Sequence, residues 1–264
     1  MGCRKREILG ELTGTFLLVL FGCGSVTVDV LFGVYHGLLQ IALVWGIGVA
    51  LAIYMTRHLS CAHLNPAVTL AMVLSGRMPL NKLLGYVFAQ LIGAILAGSV
   101  LYALFADTIA AYELVHNIQR GQPESIKTAM LFGEFYPNPA LSAVVSMPLA
   151  MIAEGCGTFL LVLMIFALTE GSNVGRPDES LAPIFIGLTV SSIICLLAPL
   201  TQAGLNPARD FGPRLVASIA GWGDAAFPPD GGAFWVYIFA PLCGAALACF
   251  FFIHILDPAM RSDK

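Results

Sequence analysis

The sequence predicts an all-α membrane protein of six transmembrane helices and two half-helices meeting at the midplane, arranged as an inverted 3+3 repeat. Three observations predict it. Of 264 residues, 58% are hydrophobic and only 11% charged, where a soluble domain carries about a quarter charged residues. Six apolar stretches are long enough, as helix, to cross a hydrocarbon core about 30 Å thick. The two halves of the chain also repeat one another, each with one Asn-Pro-Ala triplet.

The spans are expected near Ile8–Val30, Leu38–Met55, Leu83–Leu104, Val144–Leu168, Leu181–Leu197 and Phe234–Ile255. All are rich in Leu, Ile, Val, Ala and Phe with interspersed Gly, as membrane spans tend to be. The first follows Arg4-Lys5-Arg6 directly and has no small-residue cleavage site after a short core, so it reads as a retained span. Basic residues gather at the N-terminus, between the second and third spans (Arg57, Arg77, Lys82), at Arg176 and at the C-terminus (Arg261, Lys264). By the positive-inside rule both termini are cytoplasmic. Arg209 and Arg214 break that pattern and require a functional reason. The seven cysteines form no CxxC pair, which argues against a disulfide framework or metal site; they read as small buried apolar residues. Net charge is −3, without a basic block, so nucleic acid is not an expected partner.

Glu11-Leu-Thr-Gly-Thr-Phe-Leu-Leu-Val-Leu20 matches Glu154-Gly-Cys-Gly-Thr-Phe-Leu-Leu-Val-Leu163 at eight of ten positions. Glu11 precedes Asn65 by 54 residues, and Glu154 precedes Asn206 by 52. The chain is therefore read as a single domain, 1–264, holding repeats of approximately 7–104 and 147–255 joined by an extracellular loop, 105–146. Three spans per repeat is an odd number, so the second repeat enters the membrane upside down, with its functional site at the midplane. The loop Phe105–Ser142 reads either as a vestibule wall or as an ordered loop with a short helix.

Each triplet opens a short apolar helix, roughly Pro66–Ser75 and Pro207–Ser218. Proline suits the first helical position because its missing N–H is not needed there. Asparagine caps it. Ten helical residues span about 15 Å, half the hydrocarbon core, so two half-helices from opposite sides complete one crossing. Their positive N-terminal ends then face each other, repelling cations and protons while neutral dipoles reorient. With each Asn oxygen used in capping, the amides of Asn65 and Asn206 are expected to donate into a lumen. Irregular backbone at membrane depth must line a cavity or lie buried in protein. The carbonyls of Cys61, Ala62, His63, Leu64, Gln202, Ala203 and Gly204 are expected to form an acceptor ladder opposite an apolar wall that includes Leu18, Val49, Leu161 and Val190. Glu11 and Glu154 are intramembrane carboxylates, a functional hypothesis by default. They either couple protons in a transporter or accept backbone N–H groups from the irregular loops; their equivalence favours the second role. His63 reads as a hydrogen-bonded strut rather than a titrating gate.

Ser60-Cys-Ala-His-Leu-Asn-Pro-Ala-Val-Thr69 and Gly204-Leu-Asn-Pro-Ala-Arg-Asp-Phe-Gly-Pro213 resemble the paired signatures of the aquaporin, or major intrinsic protein, family over nearly the whole chain. Asp210 after Arg209, and the loop ending Phe135-Tyr-Pro-Asn-Pro139, resemble its glycerol-facilitator branch. The resemblance implies a passive channel in the cell (plasma or inner) membrane for glycerol, similar neutral solutes and water. It also implies a homotetramer with one pore per subunit, in contact with lipid, with no cofactor and no catalysis. The family's outer selectivity filter falls on Trp45, Ile194, Ala203 and Arg209. Arg209 offers a fork of donors to hydroxyls, and Trp45 offers a flat apolar face to carbon. Typical glycerol facilitators place glycine where Ile194 stands and an aromatic where Ala203 stands; this quartet looks more like the plant nodulin-type branch. Pro66, Ala67, Pro207 and Ala208 complete the triplets, and Asp210 is expected to give structural support. A channel chiefly for water, or for urea, lactic acid or metalloid hydroxides, is the alternative, with an ion-coupled transporter behind it. Cys61 replaces a more usual glycine, making it a candidate mercurial site.

Overall fold

A computed structural model describes residues 2–261; Met1 and Lys264 lie outside the described residues. The chain order is α1 (Cys3–Phe32), α2 (Leu38–Ser60), α3 (Pro66–Leu74), α4 (Leu83–Val115), α5 (Ile126–Ala129), α6 (Met147–Thr169), α7 (Ala182–Thr201) and α8 (Pro207–Ala217). A last span, α9 (Gly232–Arg261), contains π-helical turns at Trp235–Phe239 and Phe252–Leu256. No strand occurs among the described residues. Among the described residues six helices are long and apolar enough to cross a membrane, and α3 and α8 are two short helices that open on the triplets.

Two helices outrun their apolar stretches. Helix α2 continues through Thr56, Arg57 and His58 to Ser60, and α4 continues past Leu104 to Val115. Apolar length measures a bilayer, whereas a helix stops only where the backbone is forced out of it. For α4 that point is Asn117, at φ 53°. Beyond it the chain makes the short α5, then residues 130–135 fold back onto the bundle, burying Met130, Leu131, Phe132 and Phe135 with Trp222. The segment is thus an ordered loop with a short helix.

Helix α1 packs on α2 and α4, α2 on α7, and α6 on α7 and α9. The half-helices cross over: α3 packs against α9, and α8 against α4. Small residues allow the closest approaches, as membrane helix interfaces favour. A Cβ added to Gly46 would lie 2.5 Å from the Gly187 carbonyl oxygen, and one added to Gly187 would lie 2.3 Å from that of Gly46. These glycines are 141 positions apart, as are Asn65 and Asn206. The bundle's outer surface is greasy, with Leu84, Phe88 and Leu104 all exposed, as lipid contact requires. Here the cysteine expectation needs correction. Cys23 and Cys249 are buried, but Cys156, Cys195 and Cys243 are exposed, as is Cys61. Thiols are apolar enough for an outward face of a helix as well as for a core.

Candidate functional site

The site begins with two buried carboxylates. Glu11 accepts the N–H groups of His63 (2.9 Å) and Leu64 (2.7 Å). Glu154 accepts those of Gly204 (2.9 Å) and Leu205 (2.7 Å). Gln90 Nε2 donates to Glu11 at 2.7 Å, and the Thr201 hydroxyl donates to Glu154 at 2.6 Å. Tyr86 and Tyr237 brace the same loops, donating to the carbonyls of Ser60 and Thr201 at 3.0 Å each.

These bonds hold an unusual backbone. Cys61, Ala62 and Leu64 sit at φ 66°, 53° and 55°, and Gln202, Ala203 and Leu205 at 63°, 62° and 56°. Left-handed conformation in residues with a Cβ costs about 1–3 kcal/mol each and persists only where the surroundings over-determine it. Here the Glu11 and Glu154 carboxylates supply bonds that do so.

The half-helices then start. Asn65 Oδ1 accepts from Ala67 N at 2.8 Å, and Asn206 Oδ1 from Ala208 N at 3.1 Å and Arg209 N at 3.2 Å. Each amide nitrogen also reaches across to the other repeat. Asn65 Nδ2 donates to Leu205 O at 3.0 Å, and Asn206 Nδ2 to Leu64 O at 2.8 Å. One amide hydrogen of each Asn is therefore spent locking the tips together. Gly204 O accepts Asn206 N at 2.7 Å, so two of the carbonyls expected in the acceptor ladder already carry a partner.

A cavity of about 410 Å³ runs past these groups, lined by both asparagines and by Leu18, Val49, Leu161 and Val190. Trp45, Ile194, Ala203 and Arg209 line it too, as do Cys61, Ala62, His63, Leu64 and Gly204. Gln202 is not among the lining residues; its side chain instead accepts Phe135 N at 2.7 Å. Arg57, His58 and Glu179 line the cavity as well. Trp45 and Arg57 stand 12 residues apart on α2, or about 18 Å at 1.5 Å per residue, so they mark opposite ends.

At the Trp45 end the Arg209 guanidinium carbon lies 4.2 Å from the Trp45 ring centroid. Gly22 makes room for that indole: a Cβ there would fall 2.1 Å from its ring carbons. Arg209 Nη2 is ion-paired with Glu134, both side chains being 4% exposed, while Nη1 is buried without a hydrogen-bond partner. Burial pushes the Glu134 carboxyl up to about 7, against the opposing pull of Arg209. Glu134 is held in turn: its N–H donates to Asp210 Oδ1 at 2.8 Å, and its carbonyl accepts from Arg214. Arg214 is fully buried, binding Asp210 twice at 2.8 Å and Ala226 O at 2.8 Å. Of the two arginines that broke the charge pattern, one therefore faces the cavity and the other fixes the wall. Nothing in the sequence pattern singles out Glu134, which lies in the loop before α6.

A family model described as "Major intrinsic protein" matches residues 3–252. The glycerol uptake facilitator protein of Haemophilus influenzae is 41% identical over 243 residues, covering 92% of this chain and 89% of its own. The propanediol uptake facilitator of Citrobacter freundii is 39% identical over 256 residues, with 96% and 92% covered. The X-ray structure of the aquaglyceroporin from Plasmodium falciparum superposes with a TM-score of 0.84 at 28% identity, covering 97% of this chain and 98% of that one.

Proposed function

Because this chain belongs to the major intrinsic protein family, we propose that it is a passive channel for glycerol and similarly small neutral polyols, with water following the same path. It is a channel and not an enzyme. The observation that carries the reading is the pairing of one polar and one greasy wall at the Trp45 end. Arg209 Nη1 is an unengaged donor beside an aromatic face, and a polyol alternates hydroxyls with carbon. The relatives named for glycerol and propanediol support the same solute class.

In this reading Trp45, Ile194, Ala203 and Arg209 form the outer selectivity filter. The carbonyls of residues 61–64 and 203–204 hand hydroxyls along one wall, and the facing ends of α3 and α8 exclude cations and protons. Both termini lie in the cytoplasm, residues 105–146 lie outside, and four copies assemble in the plasma or inner membrane with one pore each. The greasy outer faces of the bundle and the basic residues near the termini support that assembly and orientation.

Reconstituted protein tests the function. Proteoliposomes challenged with glycerol should shrink and then re-swell at a rate that survives collapse of proton and sodium gradients. Shrinkage without re-swelling would identify a channel chiefly for water, and gradient-dependent flux would identify a transporter.

A further inference from the structure

The two repeats are related position by position, and the relation carries beyond the triplets. Residues 141 apart pair off: Gly46 with Gly187, Asn65 with Asn206, and Ala62 with Ala203. The first pair presses each glycine on the other's carbonyl, the second makes crossed hydrogen bonds, and the third shares left-handed φ values of 53° and 62°. The same step carries Trp45, Ile194, Ala203 and Arg209 onto Ile186, Ile53, Ala62 and Val68. Val68 and Arg209 are each the third residue of a half-helix. All eight side chains line the one cavity.

From this we infer that Ile53, Ala62, Val68 and Ile186 form a second selectivity station, wholly aliphatic, on the far side of the asparagine pair, and that it favours polyols over water. The station has no counterpart of Arg209. Nor does the neighbouring backbone supply donors. Cys61 N is bonded to Arg57 O, Ala62 N to the Ser60 hydroxyl, and His63 N and Leu64 N to Glu11. The His63 ring and the Cys61 thiol are the polar side chains that remain on this stretch, and neither belongs to the four. A passing solute therefore meets carbonyl acceptors on one wall and methyl groups on the others. A polyol donates its hydroxyls to the carbonyls and turns its carbons to the methyls. Water has no carbon to turn, so it can meet the methyl walls only with hydrogen-bonding groups that find no partner there; aliphatic constrictions oppose wetting for this reason.

The inference rests on the channel reading above, and the test separates the two. Val68→Thr and Ile186→Thr each add a hydroxyl donor at the station, and Val68→Ala adds space without polarity. Water and glycerol permeabilities are measured on equal amounts of purified protein in proteoliposomes. Either threonine variant should raise the water-to-glycerol ratio by about three- to ten-fold, the worth of one net hydrogen bond, while Val68→Ala leaves the ratio unchanged. Threonine variants that keep the wild-type ratio, or an alanine variant that raises it equally, overturn the station alone. Wild-type protein that does not conduct glycerol overturns the channel reading and the station with it.

Discussion

Glu134 grips Arg209 through one guanidinium nitrogen and leaves the other, Nη1, buried and unengaged. The pair carries no net charge while the carboxylate is ionised, so in the proposed filter Arg209 would act as an oriented donor rather than as a free cation. Protonation of Glu134 breaks that balance. Since burial pushes its carboxyl up to about 7, the pair is intact above that pH and lost below it. Glycerol flux should fall by about two-fold on acidification through 7 as Arg209 loses its anchor and moves into the lumen, on the scale of one weakened hydrogen bond. Glu134→Gln, measured in the same vesicles, should flatten this dependence.

Removing the arginine alone takes away the charge that favours the ionised Glu134 carboxylate and leaves that carboxyl buried without its partner. Losing one partner of a buried pair costs about 3–5 kcal/mol, so Arg209→Val should assemble poorly or melt early in detergent. Arg209→Val combined with Glu134→Gln should recover stability. Because that double change leaves net charge as it was, proton exclusion should persist, carried by the ends of α3 and α8. A proton leak in the double variant would show that Arg209 excludes cations through its charge after all.

Gly22 is a specificity residue at one remove. With a Cβ placed 2.1 Å from the Trp45 ring, Gly22→Ala must displace the indole, and the cavity lies on its open side. Glycerol flux should drop at least about ten-fold, the cost of an overpacked core expressed as a closed passage. The water-to-glycerol ratio should rise, because water is the smaller solute. An unchanged ratio would mean that the ring finds room elsewhere.

Glu11→Gln and Glu154→Gln replace a two-oxygen acceptor with one oxygen and a donor. Each variant leaves a buried backbone N–H facing an amide, at about 1–3 kcal/mol, and frees part of a left-handed segment. Thermal melting in detergent should fall for both variants by similar amounts, because the two carboxylates hold matching N–H pairs. Residual glycerol flux should remain insensitive to a proton gradient. A gradient response that appears in the wild type and vanishes in either variant would point instead to proton coupling.

Much of this was legible before the fold. The triplets, the paired acidic spans and the apolar stretches each impose a local physical demand, and the caps of Asn65 and Asn206 follow from those demands. Glu134 did not, because its meaning depends on a contact with a residue 75 positions away, made by a loop with no periodicity. The reach of α4 to Val115 was hidden because hydropathy reports the lipid and not the helix. The crossed Asn65–Leu205 and Asn206–Leu64 bonds were hidden because capping arguments stop at one helix end. Gly22 was one small residue in a span full of them, and only the position of Trp45 distinguishes it.

Each half-helix rests against a long helix of the opposite repeat, α3 on α9 and α8 on α4. This imposes an order on biosynthesis. When α3 leaves the ribosome its neighbour α9 has not been translated, so that contact forms only after α9 follows. A chain truncated before α9 would leave α3 without its main contact in the opposite repeat. The cavity is therefore walled only when both repeats are in place.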